Sequence, residues 1–132
     1  MERMDALFQN MEWSPLISDP IQQVDIRFGR NDDALVYELL SPHGEKSPLY
    51  QTWRKRKNLL NHICYRTREL EMGAAHLASQ RVRAITRPAP AVAYGQSMIQ
   101  FFLHPDGWVI ELVEGNRSPF EAGRLGTLAE RR

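Results

Sequence analysis

Two stretches of this chain repeat one pattern. Ala34-Leu35-Val36-Tyr37-Glu38-Leu39-Leu40 and Gly107-Trp108-Val109-Ile110-Glu111-Leu112-Val113 are apolar, strand-like runs, each interrupted by a glutamate at the same place, 73 residues apart. A carboxylate inside an apolar strand is costly unless it is paired or bound to a cation. One such glutamate reads as an inward charge guarding a sheet edge, or as half of a salt bridge. Two at matching places constrain the chain to two related units that present both carboxylates in similar positions.

Between the copies lies Leu60-Asn61-His62-Ile63-Cys64-Tyr65. Its alternation sets Leu60, His62 and Cys64 on one face and Asn61, Ile63 and Tyr65 on the other. A lone strand histidine is more often a satisfied core or edge residue than a ligand. The two flanking glutamates turn that balance, because imidazole and carboxylates together suit a cation.

From His62 onward the pattern predicts a strand and then a helix over about Glu69–Gln80, with Leu70, Ala74, Leu77 and Ala78 as its buried stripe. Strands over Arg81–Thr86, Gln96–Leu103 and Trp108–Val113 follow. Arg87-Pro88-Ala89-Pro90 is expected as a stiff loop outside any sheet, and His104-Pro105-Asp106-Gly107 as a tight turn. Before His62 come amphipathic helical turns over Met1–Met11 and strands over Val24–Phe28 and Ala34–Leu40. A short helix then runs from Ser47, its N-cap, to about Lys57, with Pro48 in its first turn. The later order is a βαβββ unit, and the earlier one is the same unit without its first strand. The expected fold is therefore α+β, a single domain over 1–115. An incomplete first module spans 1–58, a second spans 59–115, and a loosely packed polar tail covers 116–132.

A net charge of +1 gives no general pull toward nucleic acid or membrane, so neither is expected as a partner. The single cysteine, Cys64, precludes an intrachain disulfide and fits a cytoplasmic protein. No apolar run approaches membrane-spanning length, and the N-terminus has no signal-peptide pattern. Zinc-finger spacing, a phosphate loop and a Gly-flanked nucleophile elbow are all missing from the sequence.

Taken together, these segments resemble the vicinal oxygen chelate superfamily, which includes glyoxalase I, extradiol dioxygenases, fosfomycin and bleomycin resistance proteins and methylmalonyl-CoA epimerase. The likeness is nearest to epimerase-like and glyoxalase-like members. Glu38-Leu39-Leu40-Ser41-Pro42-His43-Gly44-Glu45-Lys46-Ser47-Pro48 is similar to their strand-loop-helix segment. The His62 strand resembles their metal-histidine strand. Phe102-Leu103-His104-Pro105 with Val109-Ile110-Glu111-Leu112 resembles their last hairpin.

The resemblance implies two βαβββ modules forming a curved mixed sheet, a cup with helices outside and a divalent metal within. It assigns His62, Glu38 and Glu111 as metal ligands, and Glu111 or Glu38 as a proton shuttle. Zinc, nickel, cobalt, manganese and iron all suit such a set. The implied activity is that of a metal-dependent isomerase or lyase, acting on a small oxygenated substrate or acyl thioester through a chelated enediolate. The alternative is a metal-free small-molecule binding or resistance-type protein of the same fold. A dioxygenase is disfavoured, since its usual set holds a second histidine.

Two departures from the family pattern stand out. The partner of His62 would fall before residue 1, leaving three readings: an upstream segment, a strand from a neighbouring subunit, or a decayed site. The open sheet edge predicts a homodimer. Epimerases of the family also carry an acidic residue just after the proline preceding their second strand, where this chain has Ile21 followed by Gln22 and Gln23. Of the other residues, His43 and His104 read as solvated turn residues, and His76 as an outer helix residue. Trp53 with Arg54-Lys55-Arg56-Lys57 reads as a basic patch for a thioester's phosphates or as a solvated helix face. Cys64 is either a soft ligand or a small packing residue, and Tyr94-Gly95, in the loop after Pro90, is expected at the lip of the cup.

Overall fold

The computed structural model describes residues 11–31, 35–55 and 60–120. Alternating apolar residues build two sheets. The first holds β1 (Glu12–Trp13), β2 (Ile17–Asp19), β3 (Val24–Arg30) and β4 (Val36–Pro42). β3 pairs antiparallel with β4 along one edge and with β1 and β2 along the other. A short helix, α1 (Tyr50–Lys55), follows.

The second sheet begins with β5 (His62–Thr67) and is backed by α2 (Leu70–Ser79). It continues through β6 (Arg83–Ala84), β7 (Ala89–Ala91), β8 (Ser97–Leu103) and β9 (Val109–Glu114). β5 runs parallel to β9, β9 pairs antiparallel with β8, and β6 and β7 share the far edge of β8. The first sheet has the same layout, β4-β3-(β1, β2). Among the described residues it lacks only the counterpart of β5, which would lie beside β4. The fold is thus the expected α+β arrangement, two sheets with few helices.

Strand alternation sorts the core into two layers. Val24, Ile26 and Phe28 of β3 face Ala93, Tyr94, Ile99 and Val113 of the second half. On the back of the second sheet, Phe102, Ile110 and Leu112 pack against Leu70 and Val82. Gly73 allows α2 to come this close, since a Cβ there would stand 2.9 Å from Thr67 Oγ1 and 3.0 Å from Leu112 Cδ1. The first N–H of α2, Leu70 N, donates to the Glu114 carboxylate at 2.8 Å. A residue from the end of β9 therefore caps a helix that has no side-chain cap of its own.

Several expectations change. Pro90 does enter a sheet: β7 pairs Pro90 with Met98, which is permissible because β7 is an edge strand whose proline is not asked to donate inward. The strand expected over Arg81–Thr86 shrinks to Arg83–Ala84. β4 begins at Val36 and runs through Pro42, two residues beyond the expected end. Ala78 is exposed, so the buried side of α2 is Leu70 with Ala74 and Leu77. The start of the tail folds back rather than packing loosely. Pro119 is buried, the Phe120 ring lies 6.4 Å from Phe28, and Arg30 stacks on Phe120 at 4.3 Å. The helical turns expected over Met1–Met11 fall almost wholly outside the described residues. No helix among the described residues is long and apolar enough to cross a membrane.

Candidate functional site

The strand registers bring the three singled-out residues together. On β4, Glu38 stands opposite Phe28; on β9, Glu111 stands opposite Phe101 on one side and Cys64 on the other. His62 opens β5 two residues earlier on the same face, beside Val109. His62 Nε2 lies 3.0 Å from Glu111 Oε2 and 3.1 Å from Glu38 Oε2. The three side chains are 7%, 4% and 16% exposed for His62, Glu111 and Glu38 respectively. One ligand atom from each lies within 4.8 Å of the others. Two ligands about 2.1 Å from a single ion and at right angles to it stand roughly 3.0 Å apart, so this spacing fits one shared cation.

Two further contacts orient the imidazole. Nδ1 hydrogen-bonds to Asn61 Oδ1 at 2.8 Å, which directs Nε2 toward the carboxylates. The Phe101 ring meets the imidazole edge-on at 5.4 Å. Burial by itself pulls the His62 pKa down. Hydrogen bonds and charge from Glu111 and Glu38 more than reverse this, raising it to about 9. At neutral pH the imidazolium is therefore the cation between the two carboxylates. Burial also pushes the Glu38 carboxyl up, and the neighbouring Glu111 charge adds to the rise against the pull of His62.

The trio lines a cavity of about 240 Å³. Its walls are mostly aliphatic and aromatic, from Val24, Ile26, Leu40, Ile99 and Phe101 among others. Tyr94, held by the 3-10 turn Val92–Tyr94, places its hydroxyl 3.9 Å from Cys64 Sγ. Burial, reinforced by the Glu38 charge, keeps that phenol protonated. Cys64 is an exposed residue, yet the partial enclosure of its sulfur, followed by the Glu111 charge, pushes its thiol pKa up as well. Cys64 therefore sits near the trio without joining its ligand atoms.

Asp19 is fully buried and also lines the cavity. Its Oδ1 accepts from Ile21 N and Gln22 N, both at 2.9 Å, and its Oδ2 accepts from Val92 N at 3.3 Å. One carboxylate thus ties the turn of the first half to the Tyr94 turn of the second. Asn61 and Asp19 escaped notice in the sequence. Their only signals were an amide next to the histidine and an aspartate before Pro20.

The remaining residues resolve plainly. His43 Nε2 contacts both Asp25 Oδ1 at 2.9 Å and Ser18 Oγ at 3.3 Å. Because both use the same nitrogen, this is no proton relay, and the His43 hydrogen bond holds the Asp25 carboxyl below its usual range. His104 stacks on Trp108 at 4.7 Å in its turn, and His76 is exposed on α2. Trp53 is exposed at the end of α1 with Arg54 and Lys55, while Arg56 and Lys57 lie outside the described residues. Ile21 is exposed, whereas Gln22 lines the cavity.

Two sheets around a cavity lined by one imidazole and two carboxylates can be compared with known folds. Residues 1–101 match the Glyoxalase/Bleomycin resistance protein/Dioxygenase superfamily, and the chain belongs to that family. Its fold is similar to that of methylmalonyl-CoA epimerase from Mycobacterium tuberculosis, with a TM-score of 0.70, 24% identity, and coverage of 86% of this chain and 77% of that one. It is also similar to a hypothetical protein from Bacillus halodurans C-125, with a TM-score of 0.67, 24% identity, and coverage of 80% and 77%. A variant methylmalonyl-CoA epimerase from Streptomyces coelicolor, solved with 2-nitronate-propionyl-CoA, gives a TM-score of 0.69 at 22% identity, covering 88% and 85%. No curated protein matches the chain.

Proposed function

We propose that this protein is a metal-dependent isomerase or lyase of the glyoxalase and epimerase type, acting on a small oxygenated substrate or acyl thioester. The observation that carries the reading is the meeting of Glu38, His62 and Glu111, with ligand atoms within 4.8 Å, in the lining of a mostly apolar cavity. His62, Glu38 and Glu111 would hold a divalent ion of zinc, nickel, cobalt, manganese or iron. When bound, that ion supplies Lewis acidity to two neighbouring substrate oxygens, which acidifies the carbon beside them.

The chain's own groups supply the rest. Asn61 fixes the imidazole so that Nε2 faces the ion's position. Glu111 or Glu38 would take the proton from the carbon, and delivery of a proton to the neighbouring carbon or to the opposite face of the same carbon would complete an isomerisation with no other reactant. The apolar walls exclude water and strengthen each charge interaction among the trio.

A specific observation favours a second reading, a metal-free binding protein of the same fold. His62 Nε2 lies within 3.1 Å of an oxygen of each carboxylate, so the imidazole can bridge both without a metal. Metal analysis of the purified protein, with His62→Ala beside it, separates the two. A stoichiometric transition metal that disappears in the variant, together with proton exchange at the substrate carbon in deuterated water, supports the enzyme. A metal-free protein that binds small molecules without exchange supports the binding module.

The reading extends to assembly as a homodimer. β5 pairs on only one side among the described residues, and it presents Ile63 at 42% and Tyr65 at 50% exposure. An open, partly apolar strand edge is a pairing surface. Sedimentation at micromolar concentration is expected to give a dimer, and a monomer there removes this part of the proposal.

A further inference from the structure

We infer that Asp19 is a positioning residue for the cavity. Its carboxylate holds the 3-10 turn Val92–Tyr94 against the first half, and through that turn it fixes where Tyr94 stands in the cavity wall. This role rests on reading the cavity as the functional site, and its test needs neither a metal nor turnover.

Asp19 ends β2, opposite Val24 of β3, and is 0% exposed. A carboxylate withdrawn from water is costly unless donors meet its oxygens. Here the two oxygens have separate partners. Oδ1 accepts from Ile21 N and Gln22 N, both at 2.9 Å, and so closes the local turn after Pro20. Oδ2 accepts from Val92 N at 3.3 Å, 73 residues along the chain. The local turn needs only the first oxygen, which leaves the second for the other half.

The Val92–Tyr94 turn is otherwise tied by hydrogen bonds within its own half. Gly95 N donates to Val92 O at 3.1 Å, Gln96 N to Ala91 O at 2.9 Å, and Arg117 Nη1 to Gly95 O at 2.7 Å. Among the described residues, Val92 N is therefore the turn's one polar link to the first half. The rest of that junction is apolar, with Ala91, Ala93 and Tyr94 packed against Val24, Ile26 and Phe28. Apolar contact is non-directional, whereas a hydrogen bond fixes both distance and angle. Asp19 thus sets the place of the turn on this packing, and Tyr94 follows. The Tyr94 ring stands 5.7 Å from the Phe28 ring, its hydroxyl 3.9 Å from Cys64 Sγ, and it shares the cavity lining with Glu38, His62 and Glu111. A turn released at Val92 lets the ring shift between those contacts.

Two substitutions cut the same bond from opposite ends. Asp19→Asn keeps one oxygen for the Ile21 and Gln22 amides but turns an amide donor toward Val92 N. Val92→Pro removes the donor and leaves Asp19 intact. Proline suits this site, because Val92 is the first residue of its turn and Ala91 before it is already extended, with φ −116° and ψ 123°.

The readout is fluorine NMR of protein labelled with 3-fluorotyrosine, where Tyr94→Phe assigns the Tyr94 resonance among the four tyrosines. Each variant is expected to move that resonance by more than its wild-type linewidth and to leave the others in place. Amide exchange at Val92 should quicken about tenfold in Asp19→Asn, with Ile21 and Gln22 kept within about threefold. The double variant should shift Tyr94 no further than either single one, since one bond is broken in every case. A Tyr94 resonance unmoved in both single variants overturns the inference and leaves the enzyme reading to the metal and proton-exchange measurements. Additive shifts overturn it too, because each side chain would then act on its own. If Asp19→Asn does not fold, Val92→Pro decides by the same resonance. Collapse of all the fluorine resonances in both variants would show a bond that serves folding at large, and would remove the positioning role.

Discussion

The two halves of this molecule share a plan and differ in how firmly each holds its share of the site. In the second half, Glu111 lies on β9 between β5 and β8, so its carboxylate is enclosed on both sides and its side chain is only 4% exposed. In the first half, Glu38 lies on β4, which pairs with β3 alone among the described residues, and its side chain is 16% exposed. The second sheet also has a helix-backed core behind it, while the first leans on the shared core between the halves. A repeated glutamate thus acquires two environments because strand neighbours, rather than the motif, set burial. The enclosed member and the edge member nevertheless lie at nearly the same distance from His62 Nε2, 3.0 and 3.1 Å.

The comparison breaks most visibly in the cores. Phe28→Ala and Phe102→Ala each remove a ring that is almost wholly buried, and each is expected to cost about 3–5 kcal/mol in urea unfolding. Their effects on the site should differ. Phe28 sits opposite Glu38 and 5.7 Å from the Tyr94 ring, so its loss should also weaken cavity ligands about tenfold. Phe102 faces α2 from the back of the sheet, and its loss should leave ligand affinity within about threefold. Equal damage to ligand binding from both would mean that the cores are not separate.

A smaller effect follows from pH. His62 has a folded pKa of about 9, raised from 6.5, so its contribution to metal-free stability is present in full below pH 6.5 and is lost as pH climbs through 9. The contribution is at most about 3 kcal/mol. In the same window a metal must displace the imidazole proton, so metal affinity should rise with pH and level off above about 9. Calorimetry in two buffers of different ionisation enthalpy reads the released proton. Metal uptake at pH 7 without proton release would contradict the imidazolium.

The finest distinction is between the carboxylates themselves. Glu111→Gln should destabilise the metal-free protein by about 2 kcal/mol and Glu38→Gln by about 1 kcal/mol, since the more enclosed charge loses more when its pairing is removed. Chemical denaturation at pH 6 measures both. The reverse order would show that the open edge of β4 is covered in solution.

Much of this was legible along the chain, for identifiable reasons. Period-two alternation placed Val24, Ile26 and Phe28 on one face, and the structure buries all three. The matching glutamates and the strand histidine stood out because polar groups in apolar strands require partners, and the fold brings the three together. Pro90 misled because the sequence shows the missing N–H but not which strand lies at an edge, where that loss is tolerated. Glu114 as the cap of α2, and Asp19 as the tie between halves, were hidden because each acts across 44 and 73 residues respectively.

Local pattern determined which side chains share a face and which of them are too polar to stand there alone. Only the folded chain decided that Glu38, His62 and Glu111 meet within 4.8 Å, and that one imidazole nitrogen stands 3.0 and 3.1 Å from the two acids. The physical reason is range. Strand alternation acts between adjacent residues, whereas the burial and charge pairing that set a site's chemistry depend on neighbours brought together through space.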